Sequence, residues 1–170
     1  MPTQPQGGIF VAKLMRKPKA QLHLISYTDL TAEQRQLYLR ALIAVARVDG
    51  QLDEEEADFF LQIAEGMGIN KEVAQSYLAG ETTATLELSA IPPLHNAAGA
   101  LILRDLAAMA VVNNELTEKE EALIFEIGKA MQFSREEIDE FLDWAFMGLQ
   151  WQLKSAALLQ RYAQPAASNS

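Results

Sequence analysis

From Thr31 onward the apolar residues fall at helical spacing. Leu37, Ala41, Val45 and Val48 recur every three or four positions, and Leu39, Leu42, Ile43 and Ala46 widen the stripe. That period predicts a helix over residues 31–48, and so broad an apolar face predicts a central one. Thr31 and Gln34 have the form of a capping box at its start. The pattern breaks at Asp49-Gly50, where glycine tolerates a left-handed backbone. Leu52 and a capping Asp53 then lead into a second helix with Phe59, Phe60, Ile63 and Met67 on its inner face.

The pattern returns 64 residues later. Residues 39–72 and 103–136 are identical at 12 of 34 positions, including Leu39, Arg40, Leu42, Ala46, Leu52, Glu56 and Met67 with their counterparts. The second copy predicts a helix over 94–112, a corner at Asn113-Asn114 and a helix opened by Thr117 with Glu120. Asn70 is placed to cap a short helix ending near Gly80. Ser134 with Glu137 caps a longer one, where Ile138, Phe141, Leu142, Ala145, Phe146 and Leu149 keep the period. Gly148 is a candidate bend before a last segment reaching Tyr162. Residues 22–27 have the character of a short extended piece, and residues 81–93 form a Thr-rich polar link.

The expected fold class is all-α: a bundle of about six to seven helices with an internal pseudo-two-fold repeat. Residues 1–30 form a basic arm and residues 31–163 the helical domain. Its halves are 31–80 and 93–149, and 164–170 are expected to be disordered.

Composition narrows the chemistry. The 170 residues contain no cysteine, which excludes disulfides, thiolate metal sites and cysteine nucleophiles. Two histidines, His23 and His95, are too few for an imidazole-rich site; His95 reads as a helix-start residue. The net charge of −9 argues against a nucleic-acid binder. No apolar run is long enough to span a bilayer and none forms a signal segment, so the expected location is cytoplasmic. Lys13, Arg16, Lys17 and Lys19 precede the first acid, Asp29. This arm reads as solvated, with contact to an anionic membrane surface as the alternative.

The residues from Asp49 to Asp58 hold six carboxylates and no base. An EF-hand loop would put Asp49, Gly50, Leu52 and Glu56 at suitable positions. It would also place Val45 and Arg47 where ligands belong, and the second copy fails likewise at Met109 and Val111. A purely structural account makes Asp53 an N-cap and Glu54, Glu55 and Glu56 a first turn favoured by the helix dipole. It explains Asp49 less well.

The arrangement A-x-x-D-G-x-L-x-x-x-E after an apolar helix appears as Ala46, Asp49, Gly50, Leu52 and Glu56. It returns in part as Ala110, Leu116 and Glu120. Over residues 31–149 the chain resembles the tellurite-resistance TerB-like family, which includes the N-terminal domain of a membrane-bound DnaJ-type co-chaperone. The resemblance implies an all-helical pseudo-symmetric domain. It also implies an acidic site for a divalent metal or an acidic interaction surface, and nominates Asp49, Glu56 and Glu120. Asn113 replaces the expected aspartate, leaving three carboxylates, with Asp53 and Asp105 as supplementary candidates. Such a set implies weak binding of Ca²⁺, Mg²⁺ or Mn²⁺ with several waters kept.

The expected function is a non-enzymatic cytosolic module that offers an acidic site to a divalent cation or a basic protein partner, in tellurite or stress response as the family name implies. The alternatives are a metal-free interaction scaffold and a metal-dependent enzyme. No nucleophile elbow, phosphate loop or dinucleotide turn supports the enzyme. Trp144 and Trp151 share one helical stripe if the last helix continues through Gly148. Core packing is the commoner reason for such a pair, and a partner surface is the other.

Overall fold

The computed structural model describes residues 25–50, 52–80 and 85–163. The basic arm up to residue 24, His23 and the tail after Ala163 lie outside the described residues. Six α-helices follow in order: α1 (Ala32–Ala46), α2 (Glu54–Gly66), α3 (Lys71–Ala79), α4 (Ala97–Ala110), α5 (Glu118–Ala130) and α6 (Arg135–Ala163). Short 3-10 turns stand at Tyr27–Asp29 and Leu88–Ala90. No strand occurs among the described residues, and the fold is all-α. None of the described helices is long and apolar enough to cross a membrane.

Local chemistry sets the helix starts. Thr31 Oγ1 accepts the Gln34 N–H at 3.2 Å while Gln34 returns to the Thr31 N–H at 2.9 Å. Ser134 and Glu137 make the same exchange ahead of α6. Asn70 caps α3 through the Glu72 N–H, and Gly80 closes that helix at φ 75°. The bend after α1 uses Gly50 at φ 91°, and the bend after α4 uses Asn114 at φ 68°. Helices α2 and α5 are both 13 residues long and begin 64 positions apart.

The centre of the bundle is α4 rather than α1. Ten residues of α4 are buried, against six of α1. The reason is compositional: α4 carries apolar or small residues around nearly its whole circumference, so it packs on α1, α2, α5 and α6 at once. Its start, at Asn96, lies later than the apolar period implied. Leu94 is buried but belongs to the connection, where its N–H bonds the Met131 carbonyl at 3.0 Å. Gly99 permits this crossing, because a Cβ there would stand 1.9 Å from the Leu94 carbonyl oxygen. The link before α4 is thus partly core: Ile91 and Leu94 are both buried. Tyr27 belongs to a 3-10 turn, not an extended piece.

Helix α6 is continuous through Gly148. Only Ile138, Leu142 and Ala145 of its 29 residues are buried. The tryptophans are therefore not core residues: Trp144 is 48% exposed and Trp151 78%. Phe146 is also exposed, so the inner stripe is narrower than its sequence period.

Candidate functional site

The two acidic helix starts meet. Glu56 and Glu120 occupy the third position of α2 and α5, and each bends back over its own N-terminus. Glu56 accepts the Asp53 N–H at 3.0 Å. Glu120 accepts the Thr117 N–H at 2.7 Å and the Thr117 hydroxyl at 2.8 Å. Both glutamates are about 2% exposed. The two carboxyl groups lie near enough for Glu120 to act on the ionisation of Glu56. Burial is the largest influence on Glu56 and, with the charges of Glu120 and Asp53, pushes its carboxyl up to about 7.

Asp53 and Asn113 extend the contact. The Asn113 amide donates to Asp53 Oδ2 at 2.6 Å, joining residues 60 apart in sequence. Asn113 Oδ1 is already engaged, since it accepts the Glu115 N–H at 3.0 Å. Asp53, Glu56 and Asn113 are thus linked by hydrogen bonds into a clasp between the hairpins, with Glu120 near enough to act on Glu56.

Asp49 is exposed on the bend after α1. Asp105 belongs to a different network. It is buried on α4 and accepts hydrogen bonds from the hydroxyls of Tyr27, at 2.7 Å, and Tyr38. Arg104 Nε completes the set at 2.7 Å. Burial, then the neighbouring aspartate, raises the pKa of both tyrosines. The phenols therefore remain protonated donors. The sequence does not reveal the tyrosine partners; its available signal is the Arg104-Asp105 pair inside an otherwise apolar helix. His95 precedes the α4 cap, packs on Phe133 and contacts Glu137 at 2.9 Å. The Ser134 backbone and then His95 hold the Glu137 carboxyl below its ordinary range.

The oxygen-only chemistry of the clasp is of the kind that suits a hard cation. Among the described residues, no group of three or more histidine or acidic side chains is disposed to hold a metal ion. The oxygens accept from backbone N–H groups, the Thr117 hydroxyl and the Asn113 amide.

Residues 14–78 match the family model described as tellurite resistance protein TerB. The match starts within the basic arm and ends in α3, so it takes in Asp49, Asp53 and Glu56. No curated protein and no solved structure gives a significant match. Over that segment the chain is similar to the TerB family, and its all-helical fold agrees with the likeness.

Proposed function

We propose that this protein is a non-enzymatic TerB-like module that presents an acidic corner to a basic protein partner. The observation carrying this reading is the Asp53–Asn113 bond of 2.6 Å, which draws the two acidic helix starts together. Around it Asp49, Glu54, Glu55, Glu115 and Glu118 are exposed, while Glu56 and Glu120 are withdrawn beneath. The exposed acids supply steering and recognition, and the buried pair supplies the framework. Dense exposed carboxylates of one sign draw lysine- or arginine-rich surfaces from a distance, with marked salt dependence.

A second reading keeps a divalent cation, because Asp53 and Glu56 share one helix start and Glu120 acts on Glu56 from the other. It needs Glu56 ionised and the Asp53–Asn113 bond opened. Calorimetric titration separates the two readings. Ca²⁺, Mg²⁺, Mn²⁺, Zn²⁺ and a lysine-rich peptide are each titrated into wild type, Asp49→Ala and Glu56→Gln. Peptide binding that weakens in Asp49→Ala and with added salt supports the basic partner. Ion binding lost in Glu56→Gln supports the cation. Absence of both signals leaves the acidic corner without a ligand and removes the proposal.

A further inference from the structure

Among the described residues nothing packs over the outer half of α6. Every residue from Gln150 to Ala163 is exposed, a stretch of about 20 Å at the helical rise. Its surface is not that of a solvated helix. Trp144, Met147, Trp151, Leu158 and Tyr162 lie along one side by their spacing, with Leu159 at its edge. Trp151 is 78% exposed, Leu159 72% and Tyr162 81%. With large side chains each offering about 150–250 Å², this stripe exposes roughly 700 Å². A typical monomer's largest apolar patch is about 300–600 Å².

The charges on α6 are divided. Its inner half carries Glu136, Glu137, Asp139, Glu140 and Asp143 with one base, Arg135. After Asp143 the helix has only Lys154 and Arg161. By helical spacing, Glu136, Glu140 and Asp143 share a flank of the apolar stripe with Lys154 and Arg161.

We propose that α6 is a homodimerisation helix, pairing antiparallel with a second copy about a two-fold axis near Trp151. That arrangement sets Trp151 against its own counterpart and Trp144 beside Leu158 of the partner subunit. It also brings Lys154 and Arg161 to the acidic inner half of the partner's helix. A parallel pairing would set acid on acid. Burying both stripes removes roughly 1,400 Å² from water, within the range of about 1,200–2,000 Å² typical of stable interfaces. At the foot of the stripe Trp144 and Gly148 line a cavity of about 360 Å³ with Phe59, Val112 and Asn114, beside the point where Leu158 of the partner subunit would pack. The centre of the contact, 144–158, is free of acids in a chain whose net charge is −9, which limits the repulsion that other faces would meet.

Sedimentation equilibrium of the full chain, from low to high micromolar, tests this. The expected result is a reversible dimer that becomes a monomer in Trp151→Glu and in Leu158→Glu, with helical circular dichroism retained. Should Trp151→Glu lose helicity, Trp151→Ala gives the milder measure and is expected to weaken association. Arg161→Glu is expected to weaken it up to about fivefold, and Glu140→Arg in the same chain to restore it. A wild type monomeric at every concentration overturns the proposal, whether the stripe binds anionic vesicles or is covered by the N-terminal arm. A dimer unaffected by folded Trp151→Glu and Leu158→Glu also overturns it.

Discussion

The two helical hairpins follow nearly the same backbone path with different polar side chains. The residue closing α1, Arg47, has φ −110° and ψ 0°; the residue closing α4, Val111, has φ −111° and ψ 0°. Gly68 and Gln132, after α2 and α5, have φ 73° and 74°. Yet Ala41 of the first hairpin stands where the second has Asp105, and Asp53 stands where the second has Thr117. The path is set by apolar period and turn conformation, which several residues can meet. The polar contacts are particular to one hairpin, because each depends on what the opposite element offers.

Exchanging position 41 with 105 breaks the comparison most severely. Asp105→Leu leaves two phenols and a guanidinium without their acceptor, and urea denaturation is expected to show a loss of about 3 kcal/mol. Ala41→Asp, which puts a carboxylate among Tyr38, Leu42 and Val45, is expected to cost at least as much. If Ala41→Asp costs under about 1 kcal/mol, the hairpins are interchangeable and the contrast fails.

The clasp gives the next effect. Glu56 holds its proton more tightly in the fold than in the unfolded chain. Its contribution to stability is therefore complete below the ordinary carboxylate range and is lost as pH rises through about 7. Glu56→Gln keeps the shape without the titration. Thermal melts across this interval are expected to fall with pH in wild type and to flatten in the variant. The variant should be more stable by about 2 kcal/mol in mildly alkaline buffer. An equal pH slope in both proteins would assign the titration to another group.

The smallest effects come from the matched turns. Gly68→Gln is expected to lower stability by about 1 kcal/mol, and Gln132→Gly to raise it by about 0.5–1 kcal/mol, since only glycine adopts that left-handed conformation without a steric cost. Opposite signs in chemical denaturation would sharpen the view that one backbone serves both hairpins. Equal signs would mean that the Gln132 side chain has a contact of its own.

What could be read from the sequence follows the range of each interaction. The starts of α1, α5 and α6 were legible because Thr31 with Gln34, Thr117 with Glu120, and Ser134 with Glu137 are exchanges between residues three apart. The start of α4 was misplaced because buried Leu94 continues the apolar period outside the helix. Within the candidate site, the carboxylates beside the bends were visible, but not their partners. Asp105 takes its phenols from residues 67 and 78 positions away. The tryptophan spacing fits a buried face equally well, and spacing alone does not tell which face is covered.

Both tryptophans of the chain stand on α6, and neither belongs to the core. Intrinsic indole emission will therefore start red-shifted in a monomer and change little when the bundle melts. In this molecule the fluorimeter watches one protruding rod, while tyrosine absorbance, through Tyr27 and Tyr38, watches the interior.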